Sequence, residues 1–223
     1  RAICAGPGNP PVVVDETADI EKAAKSIVNG ASMDNNIICV LEKEVFVVES
    51  VADQLLSAFQ RHNAVVLKTY EIEQLDKVIF DEILGSRKPG KINKSYIGKP
   101  IQEILQKIGK HVDDSVKLAI APVEIGHPLV WTEQMLPVMP LVRMPNVDQA
   151  IDAARDAEHG FRHTAMMHSK NLDNLSRMAR VMNCSIFVKN GSSVAGLGYG
   201  GEGYCSFTIA SPTGEGLTHP ISF

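Results

Sequence analysis

Cys39 closes the run Asp34-Asn35-Asn36-Ile37-Ile38-Cys39, and Lys43 follows shortly after. An amphipathic helical stretch precedes this run and an apolar strand follows it. Cys39 therefore falls at a junction, where reactive residues tend to collect. A thiol attacks as its thiolate, and neighbouring amide donors could stabilise that charge. On this reading Cys39 is the most thiolate-like of the four cysteines. A cysteine between Ile38 and Val40 also has the pattern of an inert buried thiol. Cys4, Cys184 and Cys205 have small or apolar neighbours and read as packing residues, with no Cys-x-x-Cys pair among them.

Three other groups could do chemistry. His163 and His168 flank Thr164-Ala165-Met166-Met167. A strand there turns them to opposite faces, so they cannot share a metal as strand neighbours. One reading makes them an edge and a surface histidine; the other makes one a base or donor near Cys39. Glu133 follows Trp131-Thr132 in an apolar stretch and fits either a helix cap or a carboxylate bonding a ribose. The run Gly196-Leu197-Gly198-Tyr199-Gly200-Gly201-Glu202-Gly203 matches a dinucleotide-binding pattern only superficially. The next segment, Tyr204 to Ile209, reads as a strand rather than a helix, so a glycine loop at a cleft rim is the better reading.

The elements that must position these residues are legible in the apolar periodicity. Val12 to Val14, Val45 to Val48, Ala64 to Leu67, Leu118 to Val123, Val138 to Arg143, Thr164 to Met167 and Ser185 to Val188 read as strands. Helices are predicted over Thr17 to Gly30 with Gly30 as the stop, Ser50 to His62 capped by Ser50, Glu71 to Leu84, Pro100 to Gly109, a segment capped by Asn146, and Asn171 to Met182. Gly85 to Pro100 reads as a long loop carrying the main basic cluster, Arg87 to Lys99. Strands alternating with helices predict an α/β fold: a mostly parallel sheet with crossover helices. The 223 residues, 44% apolar and 22% charged, with a net charge of −4, are those of an ordinary globular chain. That charge argues against a nucleic-acid binder, and no apolar run is long enough to span a bilayer. The start at Arg1, in what reads as a strand, suggests a piece of a longer protein.

Several segments together resemble the aldehyde dehydrogenase superfamily. They are Ala5 to Asp15, Gly30 to Cys39, Thr132 to Val138, His163 to Ser169, Ser185 to Gly191 and Pro212 to Gly216. The likeness is to the coenzyme-A-acylating branch, the propionaldehyde and acetaldehyde dehydrogenases of propanediol and ethanolamine utilisation. The resemblance implies that Cys39 is the catalytic nucleophile. It implies that Glu133 bonds the nicotinamide-side ribose, with Pro137 of the same motif on the cofactor side and Leu136 where the family usually has glycine. Hydrolytic members carry a water-activating glutamate where this chain has Ala5, in Ala5-Gly6-Pro7-Gly8. Acyl transfer to a thiol is then favoured over hydrolysis.

The resemblance also implies a reaction and a domain assignment. NAD accepts hydride from a short-chain aldehyde bound to Cys39, and coenzyme A takes the acyl group from the resulting thioester. The backbone amide of Cys39 serves as an oxyanion donor, Asn36 orders the loop and His163 accepts the proton of the incoming thiol. Residues 1–223 form the catalytic domain, without the family's dinucleotide-binding domain or its oligomerisation segment. The whole protein is expected to be a cytoplasmic homo-oligomer, or one housed in a bacterial microcompartment. Two other readings stand beside this one: a non-catalytic assembly fragment, and a hydrolytic aldehyde dehydrogenase.

Overall fold

Val12, Val13 and Val14 are wholly buried, and so is every residue of Val45 to Val47. Strands buried on both faces need layers on both sides, and the fold supplies them. In the computed structural model, which describes residues 1–200 and 205–223, the chain forms β1 (Pro11–Val14), α1 (Ile20–Ala31), β2 (Glu44–Val48), α2 (Glu49–Arg61), β3 (Ala64–Val66) and α3 (Thr69–Ile79). There follow β4 (Phe80–Glu82), β5 (Lys91–Ile92), α4 (Ile101–Gln106), β6 (Leu118–Pro122), β7 (Val138–Met144) and α5 (Val147–Ala157). The last elements are β8 (Thr164–His168), α6 (Leu172–Met182), β9 (Ile186–Lys189), β10 (Ile209–Ala210) and β11 (Gly216–Leu217).

Seven strands make one sheet in the order β3-β6-β7-β2-β1-β8-β9, and every pairing in it is parallel. Parallelism thus extends through the first half of the chain as well as the second. The period of two sorts the side chains. Val12, Val14, Val45, Val47 and Met166 pack with α1 and α2 on one face. Val13, Phe46, Ala165 and Met167 pack with α5 and α6 on the other. Toward the β3 edge, Ala119, Ala121 and Val138 pack with Leu75, Ile79, Ile104 and Leu105 of α3 and α4. No helix among the described residues is long and apolar enough to cross a membrane.

Several local expectations need correction. Residues 1–10 form no strand. Thr17 lies outside α1: its amide and hydroxyl both bond Asp15 Oδ1, and Asp19 caps the helix instead. Ser50 lies inside α2, not at its cap. The helix expected to reach Leu84 ends at Ile79, because Phe80–Glu82 pairs antiparallel with Lys91–Ile92. The predicted loop therefore contains a strand. Cys205 to Thr208 are not a strand, although Ile209 and Ala210 are. The glycine run continues into 201–204, outside the described residues.

Gly30 is not a helix stop. It lies inside α1, and a Cβ there would fall inside the buried Glu42 carboxylate. Gly→Ala within a helix normally stabilises by about 0.5–1 kcal/mol. Here overpacking against a fixed carboxylate reverses the sign, and Gly30→Ala is expected to cost about 1–3 kcal/mol. A urea-unfolding midpoint at or above that of the wild type would show that Glu42 can move aside.

Candidate active site at the amino edge of the sheet

Four loops feed the neighbouring strands β7, β2, β1 and β8 at their amino ends. They carry Glu133, Cys39, Gly8 and His163 respectively. Sheet order therefore brings together residues far apart in sequence. Gly8 sits between two of them: a Cβ on it would lie 2.8 Å from the Cys39 carbonyl oxygen and 3.2 Å from the His163 ring. Only glycine allows this approach. The backbone N–H of Gly8 favours the ionised form of the Glu133 carboxyl. Many open α/β sheets bind ligands at the carboxyl ends of their strands, whereas this group lies at the opposite edge.

The loop before Cys39 is strained. Asp34, Asn35 and Asn36 have successive φ values of 47°, 51° and 68°, a left-handed run without glycine. Such residues persist only where the surroundings hold them. Asn35 Nδ2 donates to Gly98 O at 2.9 Å. Asn36 Nδ2 donates to Ala31 O at 2.8 Å and Glu42 O at 3.0 Å. The amides expected to stabilise a thiolate are thus spent on the loop itself. Asn36 places both amide protons on backbone carbonyls of the loop and has none left for the reacting group.

Burial raises the Cys39 thiol above its ordinary value, and Glu133 adds to that. Its own backbone N–H and Lys43 oppose the rise. Burial likewise raises Glu133, against Lys43 and the Gly8 amide. His163 is almost fully buried, and its Nδ1 lies 2.9 Å from Thr164 Oγ1. Burial, then Lys43, pulls it down to about 4, so it is a neutral imidazole at pH 7 and a weak proton acceptor. His168 is equally buried at the far end of β8, so neither histidine is a surface or edge residue. Pro137 is buried at the head of β7, where its carbonyl accepts from Ala119 N at 3.0 Å. It belongs to the framework, and nothing in the geometry brings it to Cys39.

The sequence reading missed the residues that hold this group together. Gln134 Nε2 donates to Lys43 O at 2.7 Å, tying the Glu133 loop to β2. Asn9 Nδ2 donates to Val130 O at 3.1 Å and Ala157 O at 2.9 Å, tying the Gly8 loop to its neighbours. Glu42 accepts from Ser193 N at 2.8 Å and Ser193 Oγ at 2.6 Å. The available signal was Glu42-Lys43-Glu44, three charges at the mouth of an apolar strand. The amino-terminal segment packs on the Pro212 to Glu215 loop: Cys4 N donates to Thr213 Oγ1 at 3.0 Å, and Gly6 abuts Pro212. Ala5 between them is exposed, and so are Cys4 and Cys205, which are not packing residues.

Exposure and burial reverse the expected order of thiol reactivity. Iodoacetamide at pH 7 should label Cys4 and Cys205 first and Cys39 after them. Cys184, which burial pushes up to about 11, should come last. Mass spectrometry of partially labelled protein checks this, and Cys39 labelling first would mean its thiolate is better stabilised than the burial allows.

Glu42 gives a pH dependence. Burial raises it from the ordinary 4.5 to about 7, against the Ser193 bonds. Between those values the unfolded chain gives up this proton while the folded protein keeps it. Glu42 therefore weakens folding progressively as pH rises from 4.5 to 7, by about 3 kcal/mol. Relative to Glu42→Gln, the wild type should lose that stability across this window in paired urea titrations. A gap independent of pH would show that the folded state does not hold the proton.

Comparison with known proteins places the chain among relatives of one kind. The sequence model described as "Aldehyde dehydrogenase family" matches residues 1–74. The acetylating acetaldehyde dehydrogenase EutE of Salmonella typhimurium is 48% identical over 223 residues, covering all of this chain and 48% of the relative. A Rhodopseudomonas palustris propionaldehyde dehydrogenase, solved with bound CoA and an acylated cysteine, superposes with a TM-score of 0.94 at 48% identity, over all of this chain and 49% of that one. An engineered glycolyl-CoA reductase with bound NADP+ gives a TM-score of 0.94 at 48% identity, over all of this chain and 49% of that one. The chain spans about half the length of the curated relatives it matches. With its whole length matched in both sequence and fold, the chain belongs to the aldehyde dehydrogenase family.

Proposed function

We propose that this chain is the nucleophile-bearing part of a CoA-acylating aldehyde dehydrogenase. In the whole protein, Cys39 attacks a short-chain aldehyde, hydride leaves, and the Cys39 thioester passes its acyl group to coenzyme A. The carrying observation is the half-buried Cys39 thiol, with its own backbone N–H against it, at the meeting point of four loops. On this reading that N–H donates to the oxyanion formed at the carbon bonded to Sγ. The relatives named acetylating or solved with CoA support the thiol acceptor.

The chain's residues fit the nicotinamide side of a dinucleotide. Glu133 is half-buried beside Cys39, with a carboxylate suited to ribose hydroxyls. NAD, when bound, supplies the hydride acceptor. Among the described residues, no glycine turn links a strand of the large sheet to an α-helix N-terminus as a pyrophosphate cradle would require. The remainder of the cofactor site then belongs to another domain, and the chain alone is inactive as a dehydrogenase. His163, neutral and walled in by Thr164, acts as a hydrogen-bond partner for the incoming thiol rather than as a store for its proton.

The test is acyl-enzyme capture in the whole protein. Aldehyde and NAD without coenzyme A should leave an acyl adduct on Cys39, visible by peptide mass spectrometry, and Cys39→Ala should abolish both adduct and acyl-CoA. NADH formation by Cys39→Ala, or by this chain alone, would contradict the reading. Ala5 is exposed, so a longer side chain fits there. Ala5→Glu should raise free acid relative to acyl-CoA, since a general base contributes ~10²–10⁴-fold. An unchanged product ratio in a folded, NADH-producing variant would mean that something other than a missing base keeps water out.

A further inference from the structure

Lys43 has no exposed surface. Its Nζ donates to Asn36 O at 2.7 Å, Asn36 Oδ1 at 2.6 Å and Ile38 O at 3.5 Å. These acceptors span the last left-handed residue of the strained turn and the residue before Cys39. An ammonium in such a place costs several kcal/mol unless it is well compensated, and an apolar residue of its size would often serve stability better. Its position therefore points to something beyond packing.

We propose that Lys43 is a positioning residue for Cys39: it pins the left-handed turn that presents the thiol, and its ammonium is the cation against which the thiolate forms. This rests on reading Cys39 as the nucleophile. The titratable groups facing Lys43 are Glu133, Cys39, Glu44 and Glu42, and His163 also feels its charge. Burial favours the neutral forms of Glu42 and Glu44 and of His163, so the cation's field is left to act on Cys39 and Glu133. Burial lowers Lys43 itself to about 8, which leaves it mostly protonated at pH 7.

The pH–rate profile of Cys39 alkylation in the whole protein separates a charge effect from a structural one. Lys43→Met keeps the length and removes the charge. Its Cys39 should alkylate about tenfold more slowly at pH 7, the factor for one unit of thiol acidity. The gap should narrow above about pH 8, where the wild type loses the cation. Asn36→Ala removes the side-chain bonds to Ala31, Glu42 and Lys43 but keeps the cation, so it should lower the unfolding temperature with a much smaller change in rate. Equal rates for Lys43→Met and the wild type at pH 7, or a gap constant across the pH range, would overturn the proposal. An equal slowing in Asn36→Ala would do the same.

Should Lys43→Met not fold, the wild type alone decides. Its log rate should rise by less than tenfold per pH unit between about 7.5 and 8.5, because Lys43 loses its proton as the thiolate forms. A straight tenfold slope there overturns the proposal. None of these readouts needs turnover. Failure of the acyl-transfer reading would show separately, as the absence of an acyl adduct on wild-type Cys39.

Discussion

The buried ammonium of Lys43 is the point on which the amino edge of the sheet depends. It closes the left-handed turn at Asn36, and its backbone carbonyl accepts from Gln134 in the Glu133 loop. Its flanking residue Glu42 ties the same strand start to Ser193. One lysine and its neighbour thus tie the Cys39 loop to the Glu133 loop and to Ser193. A left-handed run of three non-glycine residues is unfavourable by itself, at about 1–3 kcal/mol for each strained residue. It persists because Asn36 bonds in three directions, to Ala31, Glu42 and Lys43.

Sheet order explains why residues so distant in sequence meet. Between β2 and β7 the chain leaves to build the β3 edge and returns, so 94 positions separate Cys39 and Glu133 in numbering while their strands are adjacent. The crossover α5 then carries the chain across to β8, which places His163 on the far side of Gly8. Parallel pairing is essential here. Antiparallel neighbours would send alternate loops to opposite edges and split the group in two.

The sheet was largely legible because its strands are apolar runs buried on both faces, and such runs have few other interpretations at this length. The misreadings share a cause. Gly30 signals a stop or a close approach equally well, and only the Glu42 carboxylate decides between them. The periodicity of Glu71 to Leu84 continues past Ile79, and only the Lys91–Ile92 partner strand breaks it. Of the candidate residues picked out by sequence, Cys39, Glu133 and His163 are brought together by the fold around Gly8. Their protonation was not legible. Asn35 and Asn36 are polar in sequence, but which way an amide points is set by backbone carbonyls such as Gly98 O and Ala31 O. The thiolate-friendly surroundings expected for Cys39 became a desolvated thiol held beside a single cation.

That arrangement has a physical logic. A permanently ionised thiol would be open to oxidation and to any electrophile, whereas a raised thiol beside a fixed ammonium ionises only when something else tips the balance. Desolvation by a bound substrate would strengthen the Lys43–Cys39 attraction, since the same two charges interact more strongly as water leaves. Glu133, on the other side, opposes ionisation of the thiol, so a ligand that engages its carboxylate would remove part of that opposition. Both changes act in the same direction. Three consecutive buried ionisable groups, Glu42, Lys43 and Glu44, with burial favouring the neutral forms of the two carboxyls, are a poor choice for stability alone. They are a coherent choice for the role proposed for Cys39, a nucleophile that ionises when substrate binds beside it.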